Sequence, residues 1–202
     1  MGTKFGNVHV KTNEREAVLT AIRSMMDERT VSLPHVEGFE SLMIQANLSK
    51  KVFYIAEYKP GWISILNDWF GWGESEAFGE ELSSHVKWPV FTVSYFDDDL
   101  FELNIYENGS HVTGQLWCSG ETRAVYELDD KEADISVLSS ILGHEHIQEL
   151  DEIIETENCE EAIDKLQELI QVPLWIHSDW FQDMDEQELI DQYTRYDFNK
   201  VG

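Results

Sequence analysis

The sequence predicts an α+β fold in which an antiparallel sheet carries helices on one face and is followed by an acidic helical region. Three observations lead to this prediction. Apolar residues over 1–120 recur in the order strand, helix, two strands, helix, three strands. The dipeptide Asn108-Gly109 separates two alternating stretches, as a type I′ hairpin requires. After residue 128 the apolar residues recur at helical spacing.

The N-terminal quarter predicts a strand and then a helix. Residues 4–11 alternate between apolar and polar side chains, which is typical of a strand. Asn13 offers an N-cap with Glu16 three residues later, so a helix is expected over about residues 14–27. The apolar residues 42–44 are expected to begin another strand.

Two short strands and a second helix follow. The strands are expected over 52–58 and 62–66, with a turn at Pro60-Gly61 between them. Ser75 is a candidate N-cap for a helix whose apolar residues recur every four positions. Trp88-Pro89 ends that helix.

From residue 90 the period changes to two, which predicts a meander of three strands. The first ends near Phe96, the second starts near Leu100, and the third covers 112–117. Together with the preceding elements, this order contains the β-α-β-β-α-β pattern of the ferredoxin-like arrangement, in which both helices cover one face of the sheet.

The C-terminal part is predicted to be helical. Asn158 is expected to cap one helix, with Glu161 at its third position. We expect a sheet domain over 1–128 and a helical region over 129–202 that packs on it rather than folding independently. The expected helices cover 130–142, 146–155, the residues after Asn158 up to Pro173, and 183–193.

Charge is the strongest compositional signal. The chain has 40 acidic and 14 basic residues, a net charge of -26. Residues 121–202 hold 23 acids and 5 bases, a net charge of -18. Seven Trp, seven Tyr and ten Phe argue against disorder, because disordered acidic chains are poor in aromatic residues. Such a field repels nucleic acid and anionic membranes and attracts basic proteins.

The remaining composition predicts a cytoplasmic protein. The N-terminus lacks a signal-peptide pattern, and no stretch approaches the length of a transmembrane helix. Cys118 and Cys159 are far apart and outside any C-x-x-C motif, so free thiols in a reducing compartment are expected. The oligomeric state is not predicted.

The triplet Asp97, Asp98 and Asp99 has two interpretations. Aspartate side chains hydrogen-bond turn backbone and tolerate unusual dihedral angles, so a structural turn is favoured. Three adjacent carboxylates exceed what a tight turn needs, however, and they would attract a cation or an arginine of a partner. We therefore also count the triplet among the predicted partner-binding residues.

Motifs for catalysis are missing from the sequence. It contains no phosphate-binding glycine loop, no nucleophile elbow and no H-E-x-x-H motif. We accordingly predict no catalytic residue, no cofactor and no metal site. The alternative is a metal-dependent enzyme that uses the Asp97 to Asp99 cluster with His144 or His146, and a structural or regulatory subunit is a further possibility.

Two other groups of residues are candidates for partner binding. Trp69, Phe70 and Trp72 lie in a predicted loop in which several large rings are hard to bury together, and exposed aromatic residues are common anchors at protein interfaces. In the acidic helical region, the predicted partner-binding residues are Glu152, Glu155 and Glu161, which lie off the apolar stripes.

The stretches "GNVHVKT", "GWISILNDWF" and "EELSSHVKWPVFTVSYFDDDLFELNIYENG" are similar to those of an uncharacterised bacterial family. The shared features are a Trp strand, an E-L-S helix, a Pro-Val strand and an acidic turn before a hairpin. The chain also resembles, more loosely, the acidic immunity proteins of bacterial toxin systems. This resemblance implies no catalytic residue. It agrees with our leading hypothesis, a non-catalytic inhibitor of a basic protein that is steered by charge and anchored by aromatic residues.

Overall fold

The computed structural model describes residues 2–31 and 51–199, and the strand expected to begin at 42–44 lies outside these residues. The described strands are β1 (Lys4–Val10), β2 (Val52–Lys59), β3 (Trp62–Leu66), β4 (Val90–Phe96), β5 (Leu100–Glu107), β6 (Ser110–Cys118) and β7 (Thr194–Asp197). The described α-helices are α1 (Arg15–Val31), α2 (Glu74–His85), α3 (Gly120–Tyr126), α4 (Ile135–Leu142), α5 (Ile147–Ile154), α6 (Cys159–Ile170) and α7 (Gln187–Ile190). The predicted α+β class is confirmed.

The strands form one antiparallel sheet in the order β6-β5-β4-β1-β3-β2-β7. β1 is central, since Val8 lies opposite Ile65 of β3 on one side and opposite Thr92 of β4 on the other. Successive side chains of a strand point to opposite faces, so each strand supplies two different surfaces. The ferredoxin-like assignment itself stays a prediction.

One face of the sheet packs against α1 and α2. Val18, Ile22 and Met25 recur on one side of α1 and are completely buried. α2 approaches β4 closely at Gly79, where a Cβ atom would lie 2.1 Å from the Thr92 methyl carbon. A larger residue at position 79 would force either the Thr92 side chain or the helix to move.

The opposite face packs against the C-terminal helices. Phe91, Tyr95 and Trp117 project from the sheet into the same core as Leu150 of α5 and Leu166 of α6. The sequence places the first two helices on one face of the sheet, and the structure adds that the acidic helical region covers the other. The outer surface of this second layer carries most of the acidic residues considered below.

The hairpin prediction at Asn108-Gly109 is confirmed, because both residues have positive φ and lie between β5 and β6. The expected start of the helix near residue 130 is wrong. Residues before α4 instead run beside β6, where the Leu116 amide donates to the Lys131 carbonyl, and the helix begins only at Ile135 after its N-cap, Asp134.

The helix expected over 183–193 is wrong over most of its length. α7 covers Gln187–Ile190 only, and β7 follows it. Val52 and Ile55 of β2 pair with Asp197 and Thr194 of β7. Edge pairing with a strand more than 130 residues earlier in the chain therefore overrides the local helical pattern.

Candidate functional site: an acidic groove between two helices

α6 forms the base of the candidate site. The Asn158 side chain caps it by accepting the Glu161 amide at 2.9 Å, as the sequence predicts. Ile163 and Leu166 are buried against the sheet, so the acidic residues of the helix must face outward. Those that do so are Glu160, Glu161, Asp164 and Glu168.

α5 lies beside α6 and also has apolar residues on its inner side and acidic residues on its outer side. Leu150 and Ile153 are buried, whereas Glu149 and Glu152 are exposed. Residues three apart in a helix share a face, so both carboxylates lie on the same side of α5.

A groove of about 490 Å³ runs between the two helices, and we call it the acidic groove. Its acidic residues come from both sides. Ile153 and Leu169 contribute apolar surface between them. The complete lining is His146, Glu149, Glu152, Ile153, Lys165, Glu168, Leu169 and Gln171.

Lys165 and His146, which line the groove, already have partners. Lys165 Nζ lies 2.7 Å from a Glu161 carboxylate oxygen and donates to the Thr156 hydroxyl at 3.2 Å. His146 Nδ1 lies 2.7 Å from a Glu149 carboxylate oxygen. Glu152 and Glu168 therefore face the groove without a local ion pair among the described residues. An approaching cation finds carboxylates that are not neutralised.

A second furrow, of about 660 Å³, lies on the other side of α6 and shares Glu168 and Gln171 with the acidic groove. Asp164 and Glu186 line it, and the Asp164 carboxylate accepts a hydrogen bond from Trp175 Nε1 at 2.6 Å. Acidic surface therefore continues across α6. The three glutamates that the sequence analysis predicts to bind a partner differ in position. Glu152 lines the acidic groove, Glu161 is paired with Lys165, and Glu155 caps the end of α5 in an exposed position.

The Asp triplet forms the turn between β4 and β5. Asp97 and Asp98 have φ values of 55° and 64°, and the Asp99 amide donates to the Phe96 carbonyl at 3.2 Å. Asp97 pairs with Lys4 at 3.2 Å, and an Asp98 carboxylate oxygen accepts the Thr3 amide at 3.0 Å. The first two aspartates thus anchor the chain leading into β1, and a recognition role for the triplet stays a prediction.

The Asp turn contacts the N-terminal end of α6. Cys159 Sγ lies 3.5 Å from the Asp98 carbonyl oxygen and 3.8 Å from the Tyr95 hydroxyl. Burial is the main cause that raises the pKa of Cys159, which disfavours the thiolate. Burial also raises the pKa of Tyr95, and Glu160 and Asp98 add to the shift. These groups are poorly suited to nucleophilic chemistry.

The three aromatic residues of the loop before α2 have different surroundings. Trp69 is 42% exposed, whereas Phe70 is 7% exposed and packs in the core under α1 and α2. Trp72 donates through Nε1 to a Glu102 carboxylate oxygen at 2.7 Å and contacts the Phe96 ring. Phe70 is therefore not available to a partner at the surface. None of these three aromatic residues lines the acidic groove.

A buried polar cluster lies beneath Trp72, and sequence reasoning missed it. Glu102 accepts from Trp72 and forms an ion pair with Lys131, and Glu76 accepts from the Ser94 hydroxyl at 2.5 Å. Burial is the main cause that raises the pKa of Glu76, with the Glu102 charge contributing in the same direction. In the sequence, Glu102 alternates with apolar residues and so resembles an outward-facing strand position. Alternation alone does not distinguish a strand face that meets solvent from one that a helix covers. The sequence therefore allowed a covered position for Glu102 but did not indicate one.

The parts of the alternative metal site do not come together. Asp97 and Asp98 are engaged at the start of β1, whereas His146 pairs with Glu149 beside α5. Across residues 2–31 and 51–199, no group of three or more His, Cys, Asp or Glu side chains is arranged to hold a metal ion.

Comparisons with protein-family models, with curated proteins and with solved structures gave no match to this chain. In the part of the chain that the structure describes, no helix combines the length and the apolar character needed to cross a membrane. The functional interpretation therefore depends on the geometry and charge of the site.

Proposed function

We propose that this chain is a non-catalytic binding protein that recognises a basic protein through the acidic groove between α5 and α6. One observation carries the proposal. In the acidic groove, two carboxylates that form no ion pair among the described residues, Glu152 and Glu168, lie next to apolar surface from Ile153 and Leu169. An acidic face that served only solubility would not need apolar residues at its centre.

The proposed recognition has two stages. The net charge of -18 over 121–202 steers a cationic partner toward this layer and accelerates the encounter. Lys or Arg side chains of the partner then pair with the groove carboxylates while their aliphatic stems contact Ile153 and Leu169. Trp69 lines a cavity with Phe53, Phe70 and Phe78 on the α1 and α2 side of the sheet and is not part of the groove lining, so the groove itself supplies the apolar area.

Inhibition of a basic protein, in the manner of an immunity or antitoxin protein, is the role that fits this surface best. An acidic layer that covers a cationic functional surface excludes its substrate sterically and electrostatically. The same field disfavours nucleic acid as a partner. The two cysteines are both free thiols, which supports placing the protein in the cytoplasm. An adjacent reading frame for a basic protein would identify the first partner to test.

Charge reversal in the groove tests the proposal. The variant combines Glu149→Lys, Glu152→Lys and Glu168→Lys. The control combines Glu16→Lys, Asp27→Lys and Glu28→Lys, which make the same charge change at exposed positions of α1 on the other face of the sheet. The probe is a lysine-rich amphipathic peptide, and the measurement is its association rate by stopped-flow fluorescence at several salt concentrations.

We expect the groove variant to slow association at least about tenfold at low salt and the control variant to slow it much less, with the difference shrinking as salt rises. Equal slowing by both variants would mean that net charge alone governs the encounter and that the groove is not the contact surface.

A further inference from the structure

A small pocket at the end of the acidic groove has the opposite charge. It measures about 230 Å³ and shares His146 and Leu169 with the acidic groove. It forms where the residue after β1 and the β2–β3 turn meet the C-terminal ends of α4 and α6. Its lining is Lys11, Lys59, Pro60, Gly61, Trp62, Leu142, His146, Leu169 and Ile170, and we call it the lysine pocket.

Two ammonium groups converge on the lysine pocket without a carboxylate partner. The chain has 40 acidic and 14 basic residues, and Lys4, Lys131 and Lys165 each form an ion pair with a carboxylate. Among the described residues, however, neither Lys11 nor Lys59 forms an ion pair. Lys11 Nζ donates to the Ile141 carbonyl at 2.5 Å, and Lys59 Nζ donates to the Gln171 side-chain oxygen at 3.5 Å. Each ammonium keeps donors that these neutral acceptors do not use.

The positive charges of Lys11 and Lys59 repel each other. Burial is the main cause that lowers the pKa of Lys11, the positive charge of Lys59 lowers it further, and Glu145 acts in the opposite direction. The His146 ring lies between two carboxylates, with Nδ1 2.7 Å from Glu149 and Nε2 4.0 Å from Glu145. Keeping two ammonium groups in one half-buried pocket is unfavourable unless an anion lies near both of them.

Capping of α4 explains only half of this arrangement. Lys11 satisfies a carbonyl in the last turn of α4, as lysines near helix C-termini commonly do. That role does not require Lys59, which the Pro60-Gly61 turn brings to the same cavity. The Trp62 ring, which is 4% exposed, closes one wall and has Lys11 Nζ 5.7 Å from its centroid.

We infer that the lysine pocket binds a small oxyanion, a carboxylate or phosphate group, between the ammonium groups of Lys11 and Lys59. Lysine is a common point-charge ligand for such groups. The apolar walls from Trp62, Leu142 and Ile170 limit water around the ions and so strengthen the attraction. This inference is independent of the proposed binding of a basic protein.

Titration calorimetry with inorganic phosphate and, separately, with acetate tests the inference, with sodium chloride holding the ionic strength constant. The variant is Lys59→Met. The control is Lys87→Met, which removes the same charge at an exposed position over the Trp88 ring. Because the protein carries a net charge of -26, its general surface repels anions, and saturable binding requires a local site.

We expect saturable binding of at least one of the two anions. Lys59→Met should weaken it at least about tenfold, the loss that corresponds to one charge-assisted hydrogen bond. Lys87→Met should leave the affinity unchanged. The anion that binds identifies the ligand class. Lys59→Met is preferred over Lys11→Met because it leaves the α4 cap intact. Absence of saturable binding for both anions, or equal affinity in Lys59→Met and Lys87→Met, would overturn the inference.

Discussion

The buried residue His9 should make the stability of the fold depend on pH. Asn7 Nδ2 donates to the Leu174 and Ile176 carbonyls at 2.8 and 3.2 Å, so its oxygen faces His9 as an acceptor. His9 Nε2 lies 2.7 Å from that oxygen and must therefore carry the proton. His9 Nδ1 is buried without a hydrogen-bond partner, so a second proton has no acceptor there.

Burial lowers the pKa of His9 from 6.5 to about 3. Between these values the unfolded chain binds a proton that the folded protein does not bind. The free energy of unfolding is therefore unaffected by His9 above pH 6.5 and falls by about 1.4 kcal/mol per pH unit below it, until about pH 3. A change from about pH 7.5 to about pH 5 should cost about 2 kcal/mol through this residue alone.

Urea denaturation at both pH values measures this cost, with His9→Gln as the reference. Other groups titrate in the same range, and protonation of carboxylates also relieves the repulsion of a chain with net charge -26. The relevant quantity is therefore the difference between wild type and variant. We expect the wild type to lose about 2 kcal/mol more than His9→Gln. Equal losses, or an NMR titration that shows the His9 ring taking up a proton well above pH 4, would refute the reasoning.

Three further predictions concern the turn, the buried cluster and metal ions. Asp98→Asn should change the free energy of unfolding by less than about 1 kcal/mol, because asparagine tolerates positive φ and keeps an acceptor for the Thr3 amide, whereas Asp98→Ala should lose about 1 to 2 kcal/mol in urea denaturation. Lys131→Met should lose about 2 to 4 kcal/mol in the same assay, because it leaves the carboxylate of Glu102 buried without its cation, and the double variant with Glu102→Gln should recover part of that loss. Zinc, manganese, magnesium and calcium should each leave the melting temperature unchanged, and a saturable rise with any of them would favour the metal-dependent alternative.

Local patterns predicted much of the fold. The turn at Asn108-Gly109 follows from dihedral angles that few residue pairs adopt, and the cap at Asn158 follows from the orphan amides of a helix start. Both depend on residues close in sequence. The same holds for the strands on either side of the Asp turn, which end and begin at Phe96 and Leu100 as expected.

Elements that depend on distant contacts were not predictable in the same way. β7 forms because β2 presents an unpaired edge, and nothing within Thr194–Asp197 specifies that partner. The ion pair of Glu102 with Lys131 exists because α2 and Trp72 cover a sheet face whose alternating pattern resembles a solvated one.

The candidate site was predictable in composition but not in geometry. The outward position of Glu152 follows from the apolar stripe of its helix. That Glu168 faces it across a groove depends on how α5 packs against α6, which the sequence does not specify. Packing also decides the position of Phe70. The sequence predicts that the aromatic loop is too crowded to bury its rings, yet the core under α2 accommodates the Phe70 ring.

The most direct test of the central claim is to map the surface that a basic partner covers. Backbone amide shifts of the isotope-labelled protein would be followed by NMR while the lysine-rich amphipathic peptide is added at low salt. We expect the largest changes within Ile147–Ile154 and Cys159–Ile170, centred on the residues that line the acidic groove. The largest changes on α1 and α2, or small changes spread evenly over all acidic surfaces, would contradict the account.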